Sequence, residues 1–161
     1  MIQGQLEVFF QKYYHVCLRV AFTMVKNQAD AEDIAQEVLL RLLLYQPEFK
    51  NAEHEKAWMI RTAMNLSKDL LKSKWHTSTV GMEAMPKTGE PYLQGVGLEI
   101  DDTLEAVLEL SERYRDCLYL FYYEDYSIRE IARILEVPQN TVKTNLKRGR
   151  EALRQKLLER R

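Results

Sequence analysis

Ser127-Ile-Arg-Glu-Ile-Ala-Arg-Ile-Leu-Glu-Val-Pro-Gln-Asn-Thr-Val-Lys-Thr-Asn-Leu-Lys-Arg-Gly-Arg150 is the stretch whose reading decides the fold. Ser127 is placed to cap a helix, and Glu130, three residues on, can reach back to close a capping box. Ile128, Ile131, Ala132, Ile134 and Leu135 then keep helical spacing along one apolar face. Pro138 lacks a backbone N–H and biases Val137 away from helical angles, so this first helix is expected to stop near Glu136. Asn140 and Thr141 suit the cap of a second helix, whose buried side carries Val142, Leu146, Gly149 and Leu153. Lys143, Thr144, Lys147, Arg148 and Arg150 are left facing outward. A basic helix face is usually plain solvated surface. The small Ala132, the tight turn and the Thr/Lys/Arg lining together outweigh that reading. They describe a helix-turn-helix whose second helix enters a DNA groove.

Working outward, 161 residues allow one or two small domains of ordinary globular composition. No apolar run is long enough to span a bilayer, and the N-terminus lacks the basic-then-apolar pattern of a secretion signal. Cys17 and Cys117 form no CxxC and sit in apolar helical contexts, so reduced core thiols are expected. The three histidines are scattered, and nothing has the spacing of a zinc site. No catalytic centre, cofactor, metal or small-molecule substrate is expected.

The formal net charge of −1 argues against an indiscriminate polyanion binder, but it hides a pattern. From Gln139 to Arg161 the basic residues Lys143, Lys147, Arg148, Arg150, Arg154, Lys156, Arg160 and Arg161 face only Glu151 and Glu159. From Lys56 to His76 a second basic set, Lys56, Arg61, Lys68, Lys72 and Lys74, faces Asp69. Acidic stretches lie at 28–55 and 98–138. Such asymmetry suits a protein that touches a phosphate backbone at two places and a protein partner elsewhere.

The first half is helical in pattern. Leu6, Phe9, Phe10, Tyr13, Tyr14, Cys17, Leu18, Ala21, Phe22 and Val25 recur at three- and four-residue steps. Lys26-Asn27-Gln28 breaks the run, and Asp30 offers the next cap, with Asp33 in the first turn. Ile34, Val38, Leu39, Leu42 and Leu43 carry that helix's apolar face, and Pro47 lies at or beyond its end. A third long helix is expected from Glu53 to about Trp75, with Ala57, Ile60, Ala63, Met64 and Leu71 apolar. Periodicity then disappears until about Leu98, in a stretch holding Gly81, Pro86, Gly89, Pro91, Gly95 and Gly97. It reads as a flexible interdomain linker. Helical pattern resumes near Asp102, with a break at Leu110-Ser111. The fold class is therefore all-α: two small helical domains, 1–75 and 102–161, joined by a linker at 76–101.

The second and third helices carry chemistry of their own. Glu32, Asp33, Gln36 and Glu37 fall at helical steps and suit a basic partner surface, although a lone acidic face is more often simply solvated. Trp58, Arg61, Asn65 and Lys68 share one face of the third helix, extended by Lys72, with Phe49-Lys50-Asn51 in the loop before it. An aromatic, an amide and cations on one face suit single-stranded nucleic acid, where base stacking is worth ~1–3 kcal/mol per base. The competing reading is Trp58 as a core anchor.

In combination and order these segments resemble the bacterial sigma-70 family, in its small two-domain extracytoplasmic-function (ECF) group. Asp30-Ala-Glu-Asp-Ile-Ala-Gln-Glu-Val resembles the family segment that docks on the clamp helices of the largest subunit of core RNA polymerase. The resemblance thus assigns Asp30, Glu32, Asp33, Ile34, Gln36 and Glu37 to polymerase binding. Ala57-Trp-Met-Ile-Arg-Thr-Ala-Met-Asn65 resembles the segment that opens the −10 element and captures a flipped non-template base, and residues 49–56 match the loop that shapes the base pocket. This implies a −10 set of Phe49, Lys50, Asn51, Trp58, Arg61, Asn65, Lys68 and Lys72. The hairpin resembles the segment that reads the −35 element, implying Arg129, Thr141, Lys143, Thr144, Lys147 and Arg148. The family often has Gly where this chain has Glu136 and Asn140, and many relatives carry Arg at Asn145. The resemblance implies a cytoplasmic, non-enzymatic specificity subunit whose partners are core RNA polymerase (clamp helices and flap), promoter DNA and an anti-sigma factor. The alternative from the residues alone is a stand-alone regulator binding duplex operators as a dimer.

Overall fold

The computed structural model describes residues 2–79 and 92–160, and the side chains of 3–74 and 92–160. The chain divides into two compact units, Met1–Glu99 and Ile100–Arg161. Among the described residues it is almost wholly helical, with one small hairpin.

The first unit contains α1 (Ile2–Lys12), α2 (Tyr14–Val25), α3 (Gln28–Tyr45), α4 (Ala52–Thr79), β1 (Tyr92–Leu93) and β2 (Leu98–Glu99). The α2 helix is apolar over most of its circumference, and such a helix is stable only when surrounded. Val16, Cys17, Leu18, Val20, Ala21, Phe22, Thr23 and Val25 are all buried, and α2 packs against α1, α3 and α4. Its polar groups are satisfied inside: the Cys17 thiol meets the Met59 carbonyl at 3.7 Å, and the Thr23 hydroxyl donates to the Val20 carbonyl at 2.7 Å.

The sequence pattern suggests one helix from Leu6 to Val25, but Tyr13, at φ −124°, separates α1 from α2. The backbone ladder runs on through it, with Tyr13 N–H to Phe9 O at 2.8 Å and Cys17 N–H to Tyr13 O at 2.9 Å. The α3 helix starts earlier than expected: Asn27, not Asp30, is the cap, accepting from the Asp30 N–H at 2.9 Å. Asp30 instead occupies the first turn, where the helix dipole favours a carboxylate. Ile34, Val38, Leu39 and Leu42 face the core as expected. On α4, Ala57, Ile60, Ala63 and Met64 are buried, whereas Leu71 is 37% exposed and Met59 fills the core instead.

Of the stretch read as a linker, residues 76–79 continue α4 and residues 80–91 lie outside the described residues. Residues 92–99 form an antiparallel hairpin pairing Tyr92 with Glu99 and Leu93 with Leu98. Gly95 (φ +88°) and Gly97 (φ +71°) supply the left-handed angles its turn requires. The turn is tied to the start of α3, where Gln94 N–H donates to Gln28 Oε1 at 3.3 Å.

The second unit contains α5 (Asp102–Leu108), α6 (Glu112–Tyr122), α7 (Ile128–Leu135) and α8 (Gln139–Glu159). Asp101 caps α5, and Ser127 caps α7 through the full capping box, with bonds of 3.0 and 3.1 Å. The α7 helix ends at Glu136 in left-handed geometry, φ 58° and ψ 46°. The α8 helix begins directly after Pro138, so Asn140 and Thr141 lie in its first turn rather than capping it. Proline's fixed φ, here −63°, and missing N–H fit this boundary without a side-chain cap. Val142, Leu146 and Gly149 are buried on α8. A Cβ at Gly149 would sit 3.1 Å from Leu118 Cδ1 and 3.2 Å from Tyr114 Cβ, so α8 and α6 approach closely there. Arg160 holds the far end of α8 to α5, at 2.8 Å from Glu109 and 3.4 Å from Glu105, and Lys156 adds a 3.6 Å pair to Glu109. The Arg160 hydrogen bond holds the Glu109 carboxyl below its ordinary range against the opposing effect of burial. This clamp therefore contributes above the ordinary carboxylate pKa and is lost as pH falls through the lowered one.

Two substitutions check these constraints in thermal melts of the full chain. Glu136→Gly is expected to stabilise the second unit by about 1 kcal/mol by relieving the left-handed Cβ. Gly149→Val is expected to destabilise it by about 1–3 kcal/mol by overpacking against Leu118 and Tyr114.

Candidate nucleic-acid interface

On α8, Thr141, Lys143, Thr144, Lys147 and Arg148 are all exposed, and Arg129 is exposed on α7. Val142, Leu146 and Gly149 fix the opposite side, so helical geometry alone sets these outward positions on the free face. Gln139 and Asn140 are also exposed in the first turn, a place from which a recognition helix reaches base edges. Asn145 behaves differently. It is half-buried, and its amide bonds the Cys117 thiol of α6. Arg150 is turned sideways, donating to the Tyr122 hydroxyl at 3.3 Å.

The first unit presents a second candidate surface. The α3 helix ends in a left-handed Gln46, and Pro47 to Lys50 then lead to Asn51, which accepts the His54 N–H at 2.8 Å at the start of α4. Phe49 lies in this loop with its ring 5.8 Å from Trp58 and 5.4 Å from His54, edge-on to both. Trp58 is half-buried, so it is neither a full core anchor nor a free platform. Further along α4, Asn65 and Lys72 are exposed while Arg61 and Lys68 are half-buried. Lys50 and Asn51 are exposed in the loop. The expected −10 residues thus fall on one loop and the helix that follows it.

Behind the loop, the Tyr13 hydroxyl donates to Glu55 at 2.5 Å. Burial, and next that hydrogen bond, raise the Tyr13 phenol well above its ordinary range, so it stays a donor. A cavity of about 520 Å³ opens here, lined among others by Val8, Phe9, Tyr13, Phe49, Glu55 and Met59.

The acidic face of α3 is mixed in character. Asp33 and Gln36 are exposed, and Glu32 is half-buried. Glu37 pairs with Arg41 at 3.4 Å, and Asp30 is bonded by Lys74 of α4. Ile34, grouped with them by sequence, is 5% exposed and lies in the core, where it anchors the face from beneath. Leu44 and Tyr45, 75% and 71% exposed, extend the surface with apolar groups that the sequence reading did not select. It also passed over His54 and the Tyr13–Glu55 pair. Only the Asn51-x-x-His54 spacing at a helix start carried a local signal for the first of these. Among the described residues no group of three or more His, Cys, Asp or Glu side chains is arranged to hold a metal ion, and no helix is long and apolar enough to cross a membrane.

Two helical units, one carrying an aromatic-and-basic helix and the other a helix-turn-helix, define the class of sigma-70-type transcription initiation factors. The Sigma-70 region 2 family matches residues 9–77 and the Sigma-70, region 4 family matches residues 100–153. The chain is 32% identical to the ECF RNA polymerase sigma factor SigW of Bacillus subtilis (strain 168), over 94% of this chain and 86% of that protein. It is likewise 32% identical to the RNA polymerase sigma factor SigV of the same organism, over 84% and 81%. A solved structure, the sigma factor RpoE in complex with the anti-sigma factor NepR from Bartonella quintana, has the same fold: TM-score 0.75, 19% identity, all of both chains covered. The chain belongs to the ECF sigma factors, the subunits that bind core RNA polymerase and direct promoter-specific initiation.

Burial pushes the Cys117 thiol up to about 11, an effect only partly offset by the Asn145 hydrogen bond. Cys17 and Cys117 are both free and buried. Iodoacetamide at pH 8 is therefore expected to leave Cys117 unmodified in the native chain and to alkylate both cysteines after denaturation, read by intact mass.

Proposed function

We propose that the two units divide promoter recognition between them. Residues 1–75 act as the core-binding and −10 domain, 76–101 connect, and 102–161 act as the −35 domain. The observation that carries this reading is the Phe49–Trp58 aromatic pair on the cation-bearing side of α4. A base extruded from the −10 element meets Phe49, Trp58 and Asn65, while Lys50, Asn51, Arg61, Lys68 and Lys72 hold the strand. Stacking offsets the few kcal/mol needed to unstack each base, so melting needs no nucleotide hydrolysis by this chain. Lys143, Thr144, Lys147 and Arg148, with Arg129 and Thr141 beside them, read the −35 duplex and its phosphates.

Asp33, Gln36 and the neighbouring α3 surface dock on the polymerase clamp helices. In the second unit a groove of about 710 Å³, lined by Val107, Leu118, Tyr122, Leu153, Leu157 and Leu158 among others, suits an apolar helix of the polymerase flap. The protein works in the cytoplasm with its polymerase, contributes no catalytic group and uses no cofactor. An anti-sigma factor competes for the same surfaces.

With core RNA polymerase and promoter fragments, Trp58→Ala is expected to lower promoter opening at least tenfold while core binding is retained, read by permanganate reactivity of −10 thymines. Unchanged opening removes Trp58 from the pocket. Lys147→Ala is expected to weaken binding to all promoters alike and to reduce the log–log salt slope by about one. A free chain that bound paired duplex half-sites tightly and formed no complex with core would support a stand-alone regulator instead.

A further inference from the structure

His54 makes three contacts with the segment that precedes α4. Its Nδ1 accepts the Lys50 backbone N–H at 3.1 Å. Its own N–H donates to Asn51 Oδ1 at 2.8 Å. Its ring stands edge-on to Phe49, at 5.4 Å and 88°. A backbone N–H can only donate, so Nδ1 must be unprotonated to accept it. The side chain thus holds two consecutive loop residues, the Phe49 ring and the Lys50 backbone, while the His54 backbone N–H holds the Asn51 side chain.

Besides these ties the loop has the Phe49–Trp58 ring contact and the Glu55 N–H bond to the Asn51 carbonyl at 3.1 Å. Lys50 and Asn51 are exposed, and Pro47 brings no N–H of its own. Phe49 is the loop's contribution to the aromatic pair with Trp58, so what fixes the loop fixes the spacing of that pair. A base pocket accurate enough to select one base needs walls held by a supporting layer of this kind.

The geometry points to His54 as a positioning residue for −10 recognition: it sets the Phe49–Asn51 loop in the shape that receives the flipped base. This rests on the reading of Phe49 and Trp58 as pocket walls. The critical element is the Nδ1 acceptor. Asparagine places Oδ1 close to the position of Nδ1, whereas phenylalanine keeps the ring and removes the acceptor.

The test uses the full chain with core RNA polymerase and a promoter fragment carrying 2-aminopurine in the −10 non-template strand. Opening is followed by fluorescence, core binding by native gel and folding by thermal melt. His54→Ala and His54→Phe are expected to slow opening about tenfold, the upper end of what one lost hydrogen bond contributes, with core binding and melting temperature unchanged. His54→Asn is expected to recover opening to within about threefold of the parent. Trp58→Ala is run alongside. If it leaves opening intact, the pocket reading itself fails. If Trp58→Ala blocks opening while His54→Ala and His54→Phe match the parent, the pocket stands and the role of His54 is refuted. Failure of His54→Asn to recover opening, or an equal loss of core binding in His54→Ala, also overturns it.

Discussion

The Ala132 carbonyl at the end of α7 accepts two backbone N–H groups, those of Glu136 and Val137. This double acceptance requires the left-handed backbone at Glu136, and it reverses the chain within three residues. Pro138 follows at once and opens α8. Further along, Gly149 lets α8 lie against α6, and Arg160 clamps its end to α5. A helix held at its start, its middle and its end has no rotational freedom left. Which side chains face away is then a consequence of the turn, and the exposed row from Thr141 to Arg148 follows from it.

In the first unit the same role falls to α2. Its apolar surface is too extensive to leave any side in water, so α1, α3 and α4 must surround it. That enclosure aligns α3 and α4 and leaves one acidic and one basic outer face. The two faces are not independent, since Lys74 of α4 bonds Asp30 of α3. Part of the basic helix is thereby committed to the acidic one, and the exposed charge of each is smaller than composition alone implies.

Local and periodic features were legible in the sequence. The Ser127–Glu130 box, the apolar positions of α7 and α8 and the division into two helical halves all depend on residues within a few positions of one another. What escaped the sequence was local geometry that residue type and periodicity do not signal. The left-handed angles at Lys26, Gln46 and Glu136 occur at residues with no intrinsic preference for them and close helices through backbone bonds to Phe22, Leu42 and Ala132. The start of α3 moved to Asn27 because two capping residues stood three positions apart. The hairpin at 92–99 has two-residue strands, too short for any alternation to register. Of the His54 contacts only the one to Asn51 left a signal in the spacing; those to Phe49 and Lys50 need the loop already folded.

Asn145 shows how this architecture partitions its positions. It lies among the residues that face outward, yet its amide is spent on Cys117 inside the domain. Lys143, Thr144, Lys147 and Arg148 carry no such obligation in the scaffold. Those four can drift or be exchanged as a set, by natural selection or by a protein engineer, while residues such as Asn145 and Gly149 keep the frame constant. The helix therefore carries an exchangeable outer face on a fixed mount. Exchanges among those four residues leave the folding of the unit intact, because none of the four holds α8 in place.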